Sequence, residues 1–414
     1  TGPRIGMGEV DDLFVVDGLV WRGMICVDDD GEPTGKSPNS LVIGWDLQTG
    51  EEKKRILVNN LRSPEHHHRC YRNKATSRYL IASFEGAEFL DFQGDDHGQN
   101  NWLRGACRYG MVPCNGMLYV PPDQCFCQPG SKLLGYAAVK AGPETPLAEV
   151  PDKDRLEKGP AHGSASRSSP GAAGPADWPT FRHDAARSGS TPARVPAEVT
   201  VDWKAKFGGK LTAPVAAGGK LFVAEADAHP VHALDAATGK PLWQFTANGR
   251  VDSPPTIHRG LVLFGSADGR VYCLRAADGR LVWRFLAAPL DRRVGHFDQI
   301  ESAWPVHGSV LVDQGVAYFT AGRSTYLDGG IRVYGLDPAS WKILHKGLLE
   351  GPHRDVDIVR DLAFFILGAK SDVLVSEGGF LYMRQKKMTP KLEEIDIEVL
   401  SSKGAQDVGL HVFS

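Results

Sequence analysis

The chain of 414 residues carries 47 Lys and Arg against 50 Asp and Glu, a formal charge of −3, so it lacks the basic excess that a nucleic-acid lattice or an anionic membrane surface requires. Its 42% hydrophobic content is ordinary for a globular protein, and no apolar run approaches the roughly 18 residues of a membrane-spanning helix. The 47 Gly and 27 Pro make up about 18% of the chain, against roughly 12% in average proteins, which predicts many tight turns and few long helices.

The chain opens at Thr1 without a charged n-region or an apolar h-region, and closes on Gly409-Leu410-His411-Val412-Phe413-Ser414, which reads as the middle of a strand. We expect a processed or cropped product, in which a missing signal peptide says nothing about compartment. A first hairpin is predicted from Val15 to Trp21 around Asp17-Gly18, with a closing turn at Trp45-Asp46-Leu47-Gln48-Thr49-Gly50. A variant hairpin from Tyr79 to Phe89 turns near Gly86, and a further one from Pro113 to Val120 turns at Asn115-Gly116.

The densest chemistry lies among these hairpins. His66-His67-His68-Arg69-Cys70 is followed by His97, Arg104, Cys107, Tyr109, Cys114, Cys125 and Cys127. Seven cysteines is an odd number, so at least one thiol is free, metal-bound or paired between molecules. In an oxidising compartment Cys107 or Cys114 would pair with Cys125 or Cys127. A second reading is a Zn²⁺ or Cu site drawing on His66, His68, His97, Cys107, Cys114, Cys125 and Cys127, since thiolate and imidazole suit those metals; no Cys-x-x-Cys pair supports a zinc module. Free buried thiols are the third. Arg69 and Arg104, with His67 or His68 and Tyr109, match another need, that of a polysaccharide lyase for a cation on a uronate carboxylate and a His or Tyr to move the α-proton. The competing reading has these arginines bonding backbone carbonyls between blades.

Gly159 to Ala176 is rich in Gly, Pro, Ala and Ser and reads as a flexible linker or exposed crossing, separating a divergent Cys/His-rich region, 1–158, from a more regular one, 177–414. In the latter, Trp203, Trp243 and Trp283 recur every 40 residues, and Pro214 and Pro254, Leu221 and Leu261, Val231 and Val271, and Gly239 and Gly279 keep that offset. Each unit reads as four antiparallel strands, a propeller blade. In its closing turn Asp235 can accept bonds from its own backbone, Gly239 supplies a positive φ, and Trp243 lays a flat ring on the neighbouring blade, so we read Trp203, Trp243 and Trp283 as packing residues. The repeat is regular from 200 to 285 and is broken by an insertion over 290–310 that carries Arg292, Arg293, His296, Asp298, Gln299, Glu301 and Trp304, expected to rim one end of the channel. Arg323 to Gly330 is a second irregular loop, in which Arg323 and Tyr326 are expected to line the ligand end. Later hairpins fall at Val312 to Tyr318 and Val375 to Tyr382, with a closing turn from Leu336 to Trp341. Seven hairpins predict an all-β β-propeller of seven or eight four-stranded blades, with incompleteness allowed at the termini.

The motif Leu-Asp-x-x-Thr-Gly-Lys-x-x-Trp, from Leu234 to Trp243, resembles the tryptophan-docking repeat of the quinoprotein-dehydrogenase-like, or PQQ-like, propellers. The stretch from Asp177 to Gly189, DWPTFRHDAARSG, looks like the opening segment common in bacterial PQQ-like repeat proteins, a group that contains an outer-membrane assembly lipoprotein scaffold. The resemblance is specific over about 177–345 and weaker over 10–150 and 360–414. It implies an extracytoplasmic, periplasmic protein with eight blades preferred. For an active quinoprotein it further implies PQQ held with Ca²⁺, an Asp general base and, in many members, two adjacent cysteines. No Cys-Cys pair exists here and Cys125-Phe126-Cys127 is the nearest approach; Asp298 and Glu301 are the candidate base and metal oxygens. His68 and Tyr109 complete the catalytic candidates, and Arg69, Arg104, Gln299, Trp304, Arg323 and Tyr326 are the ligand-contact candidates. Three functions follow in order: a scaffold binding a small molecule, glycan or protein at the channel end; a quinoprotein-like oxidoreductase using PQQ and Ca²⁺; and a lyase acting on uronate glycans. Neither a nucleic-acid partner nor a transmembrane segment is expected.

Overall fold

The computed structural model describes residues 13–22, 25–28, 30, 32, 39–58, 71–82, 86–100, 102–122, 131–142, 148–163, 174, 176–296, 298–351, 368–384 and 386–395. Its described residues form two compact units, one drawn from 13–142 and the other from 148–351 and 368–395. Among the described residues there is no α-helix, only a 3-10 turn at Asp152–Asp154, and all sheet pairing is antiparallel.

The first unit holds three sheets. Strands β1 (Leu13–Val16), β2 (Leu19–Arg22), β3 (Ile25–Val27), β4 (Asn39–Asp46) and β5 (Glu52–Val58) form one, in which β2 and β3 pair with successive halves of β4 while β5 runs along its other edge. The second is β6 (Lys74–Ala75), β7 (Tyr79–Ala82), β8 (Ala87–Asp91) and β9 (Gly98–Asn100), and the third is β10 (Val112–Cys114), β11 (Met117–Val120) and β12 (Ala137–Val139). The predicted turn near Gly86 joins the second and third strands of its sheet; the first hairpin turns instead at residues 76–78, where the Thr76 hydroxyl accepts from the amides of Arg78 and Tyr79. A side-chain-closed turn needs no glycine, so the turn signal pointed to the wrong pair of strands.

In the second unit a short strand, β13 (Leu156–Lys158), precedes two regular blades. These are β14 (Val215–Ala217), β15 (Lys220–Ala224), β16 (Pro230–Asp235) and β17 (Pro241–Thr246), then β18 (Thr256–His258), β19 (Leu261–Gly265), β20 (Arg270–Arg275) and β21 (Leu281–Leu286). The insertion forms a separate hairpin, β22 (Arg293–His296) and β23 (Gln299–Ser302). Two more blades follow: β24 (Leu311–Asp313), β25 (Val316–Ala321), β26 (Ile331–Leu336) and β27 (Ile343–Leu349), then β28 (Val375–Glu377), β29 (Phe380–Met383), β30 (Lys386–Met388) and β31 (Glu394–Ile395). The fold is therefore all-β and built of propeller blades.

A single turn design recurs between third and fourth strands. The Gly239 amide donates to the Asp235 carbonyl, and the Thr238 hydroxyl and amide bond the Asp235 carboxylate, which these bonds hold below the usual carboxylate range. The same backbone closure links Gly50 to Asp46, Gly279 to Arg275 and Trp341 to Asp337, with Trp341 at φ 53° where the others have glycine. In the β18–β21 blade the charges are exchanged, and Arg275 reaches forward to Asp278 at 2.8 Å. One register shift accompanies each turn, at Ala233/Leu234, Cys273/Leu274, Gly335/Leu336 and Gly44/Trp45, a bulge that increases local twist. The following tryptophan then docks on the next blade. The Trp203 indole donates to the Ala236 carbonyl at 3.1 Å, Trp243 to Ala276 at 3.1 Å and Trp283 to Pro338 at 3.4 Å. The Trp203 and Trp243 rings cover the turn glycines so closely that a Cβ on Gly279 would stand 2.5 Å from the Trp243 ring.

Two further segments tie this unit together. Residues 148–163 run along the β18–β21 blade: β13 pairs with β21, the Arg155 guanidinium donates to the carbonyls of Leu286 and Ala288, and Asp152 meets Lys346 on β27. Gly159 and Ala161, at the head of the stretch read as a linker, donate to Val282 and Leu281; residues 164–173 lie outside the described residues. The opening segment 177–189 lies against the first strands of successive blades. Trp178 pairs with Ala216, Ile257 donates to the Pro179 carbonyl and Ser376 donates to that of Ala185. Arg187, only 2% exposed, pins this segment by donating to the carbonyls of Leu374 and Phe181 and to the Thr180 hydroxyl. Burial without a carboxylate in contact lowers its pKa to about 10.

Comparing two glycine substitutions isolates the tryptophan contact. Gly279→Ala and Gly219→Ala both place Cβ at a positive φ, but only Gly279 is covered, since nothing lies within 4 Å of a Cβ on Gly219. Gly279→Ala is expected to destabilise by about 2 kcal/mol more than Gly219→Ala, read from chemical unfolding, and equal losses would show that the ring packs loosely.

Candidate functional site

In an antiparallel blade the loops between second and third strands share one end with the connections from fourth to next first strand. In the second unit that end gathers Asp227 and His229 from the β15–β16 loop, Arg250 and Asp252 before β18, His307 before β24, and Arg323 from the β25–β26 loop. The inserted hairpin lies among them. Its register sets His296 opposite Gln299 and Val294 opposite Glu301, with Asp298 at φ 58° in the turn. Alternation along β23 sends Ile300 outward, 70% exposed, and Glu301 inward, fully buried.

Glu301 is the centre of the site. One carboxylate oxygen meets Arg323 Nη2 at 2.7 Å and His296 Nδ1 at 3.1 Å, and the other lies 3.5 Å from Arg250 Nη1. Arg250 also reaches Asp252 at 2.8 Å and Asp227 at 3.0 Å, and Asp252 is bonded by His307 Nδ1 at 2.6 Å. Arg323 further donates to the Ser302 carbonyl. Gln299 meets His229 Nε2 at 2.8 Å and donates to the Asp227 carbonyl, which fastens the hairpin to a third blade. Below it, the Trp304 indole donates to the Asp328 carbonyl at 3.0 Å, with the Arg292 guanidinium 5.0 Å above the ring and ion-paired to Asp328.

The electrostatics follow from this crowding of cations. Burial pushes the Glu301 carboxyl up, but His296 and Arg323 more than offset it and leave it at about 2. Asp252 is likewise raised by burial and brought below its ordinary value by His307 and Arg250. Both are ionised at neutral pH. A carboxylate near 2 is a weak proton acceptor there, so Glu301 is suited to holding the hairpin rather than to abstracting a proton.

The structure thus brings Glu301, Gln299 and Arg323 together with partners that sequence reasoning had not selected, namely Arg250, Asp252, His229 and His307. One signal was available: Gly249-Arg250-Val251-Asp252-Ser253-Pro254 repeats Gly209-Lys210-Leu211-Thr212-Ala213-Pro214 at the 40-residue offset, marking a recurrent basic residue at this end of the blade. Asp298 is exposed at the hairpin turn, and the Tyr326 ring lies over Gly351 beyond β27 rather than with Glu301. In the first unit Arg104 is fully buried and Tyr109 is 78% exposed. His97 Nδ1 accepts from the Asp91 amide. Among the described residues Cys107 and Cys114 are free, exposed thiols, and Cys273, also free, is buried. His66, His68, Arg69, Cys125 and Cys127 lie outside the described residues. Among the described residues no three His, Cys, Asp or Glu side chains are arranged to hold a metal.

The molecule so defined is an all-β protein of propeller blades with a buried ion network at one end of the second unit's blades. Residues 183–383 match the family described as outer membrane protein assembly factor BamB. The chain is 36% identical over 94 residues to that protein from Burkholderia pseudomallei, covering 22% of this chain and 24% of the relative. It is also 36% identical over 103 residues to the dehydrogenase subunit of the quinone alcohol dehydrogenase of Gluconobacter oxydans, covering 22% and 14%. These matches span about a quarter or less of the relatives' own length. The quinohemoprotein alcohol dehydrogenase of Comamonas testosteroni aligns with a TM-score of 0.40 at 16% identity, over 56% of this chain and 44% of that one. The chain is a PQQ-like β-propeller repeat protein.

The folded carboxyl of Glu301, at about 2 against an ordinary 4.5, contributes stability that is complete above pH 4.5 and lost as pH falls toward 2. That contribution is on the order of 3 kcal/mol. Glu301→Gln is therefore expected to flatten the acid limb of the stability–pH profile measured by urea unfolding, whereas a variant parallel to the parent from pH 6 to pH 2 would remove Glu301 from the network.

Proposed function

We propose that this protein is an extracytoplasmic binding scaffold whose contact face is the channel end built on the β22–β23 hairpin. The observation that carries the reading is Glu301, buried and ionised, holding the hairpin between Arg250 and Arg323 while Ile300 beside it stands 70% exposed. An apolar side chain presented on a rigid, preanchored hairpin is what a protein or glycan contact requires, because little conformational freedom is lost on docking. The name of the Burkholderia relative, an assembly factor at the outer membrane, supports a protein partner and an extracytoplasmic setting. No helix among the described residues is long and apolar enough to cross a membrane.

The oxidoreductase reading draws on the quinone-dependent relative, but the residues described do not fit its cofactor. A Ca²⁺-held quinone needs oxygen ligands free to take the cation, and the carboxylates at this end are already bonded by arginine and histidine. Protein incubated with PQQ and Ca²⁺ is expected to retain neither in native mass spectrometry and to reduce no dye with alcohols or sugars; turnover after reconstitution would overturn the scaffold reading. Photo-crosslinking from position 300 is expected to give a discrete adduct that Arg323→Met weakens at least tenfold, while crosslinking from position 242 on β17 gives none.

A further inference from the structure

The opposite end of the same blades carries a pocket. Segment 177–189 and the first strands β18 and β24 line an open cavity of ≈ 350 Å³. That is near the lower end of the roughly 300–1,000 Å³ of small-molecule sites, enough for one compact ligand. Pro179, Ala185, Ile257, Leu311 and Val312 form its apolar walls, and His183, Asp184, His258 and Arg259 supply its charge-bearing lining. It is set apart from the ion network, because Arg259 stands at the turn leaving β18 whereas Arg250 and Asp252 precede that strand.

The polar groups of the lining divide into those already engaged and those available. The Thr180 and Thr256 hydroxyls bond each other at 2.8 Å, Arg187 donates to Thr180, and Thr256 donates to the Val310 carbonyl. Asp184 accepts from the amide and hydroxyl of Ser188. By contrast Arg259, exposed at the mouth, has no ionic partner among the described residues, and His258 beside it is half-buried. His183 Nδ1 is buried, makes no hydrogen bond and lies 3.5 Å from Asp184. The backbone of the opening segment is held in an unfavourable region, with Arg182 at φ 51°, His183 at 80° and Arg187 at 56°, whereas Arg259 at 47° belongs to the same two-residue hairpin turn as Asp17 and Gln314 in other blades. Such conformations cost about 1–3 kcal/mol each and persist where the surroundings enforce them, commonly at ligand sites.

We propose that this cavity binds a small organic monocarboxylate, its carboxylate on Arg259 and His258 and its short hydrocarbon or aromatic body against Ile257, Leu311 and Val312. A guanidinium at the mouth of an apolar cavity selects an anion with an apolar tail, since hydrogen bonding and charge act at one end and area burial at the other. Asp184, an acid on the same lining, disfavours a second carboxylate. This site is independent of the hairpin face and needs no partner protein.

Isothermal titration calorimetry of the full chain with butyrate, hexanoate and benzoate tests the assignment, with butyramide, benzamide and succinate as comparisons. At least one monocarboxylate is expected to bind ten times or more tightly than its amide and than succinate. Arg259→Gln, at an exposed position, is expected to weaken that binding about tenfold, and Val312→Phe, which fills the cavity, to abolish it with circular dichroism unchanged. Heat from none of the three acids, equal binding of acid and amide, or an unaltered affinity in Arg259→Gln would overturn the proposal. If Val312→Phe does not fold, the Arg259→Gln comparison alone decides.

Discussion

The contact on which the rest depends is an indole ring laid over a left-handed glycine. Gly239 and Gly279 sit at φ 68° and 70°, and the rings of Trp203 and Trp243 approach so closely that no Cβ could be accommodated. The Trp243 ring comes from the outer strand β17 and that of Trp203 from the segment before β14, and each bonds a turn carbonyl of the following blade. The contact therefore does two things at once: it removes a large aromatic surface from water and it sets the step between neighbouring blades. Because step and turn are encoded in the same 40 residues, the stacking of these blades follows from local sequence repeated.

Once the blades are stacked, loops distant in sequence are brought to one end, and there the charge pattern is unusual. Arg250, Arg323 and His296 converge on one buried carboxylate, and Arg250 with His307 converge on a second. Desolvating so many charges is costly unless each is paired, and every acid in the set is paired more than once or bonded by a histidine. The arrangement favours rigidity. A group that must trade protons needs a carboxyl that can take one near neutral pH, and both of these acids are held the other way.

Much of the fold was legible in the sequence, and unevenly so. The blades from β14 to β21 follow the Trp and Gly spacing, since apolar alternation and the Asp-x-x-x-Gly turn are short-range features that dictate strand and reversal without reference to the rest of the chain. The sheet from β6 to β9 was placed one strand out of step because its first turn is closed by the Thr76 hydroxyl, a device that carries no glycine. The opening segment, visible as a motif, gave no hint that Arg187 would be buried against Leu374, nearly two hundred residues away. Of the candidate site, the insertion and Arg323 stood out as breaks in the repeat, whereas Arg250, Asp252 and His307 were hidden by looking regular.

What the sequence by itself determined is the repeating unit: its strands, its turns, its glycines and the indole that docks on them, all set by interactions reaching a few residues or one blade away. What only the tertiary structure decided is which charges meet. Glu301 lies 51 residues from Arg250 and 22 from Arg323, and no local rule says that a buried acid on an inserted hairpin will face both. That encounter depends on the register of β22 with β23 and on the angle between blades, quantities settled by packing across many residues at once.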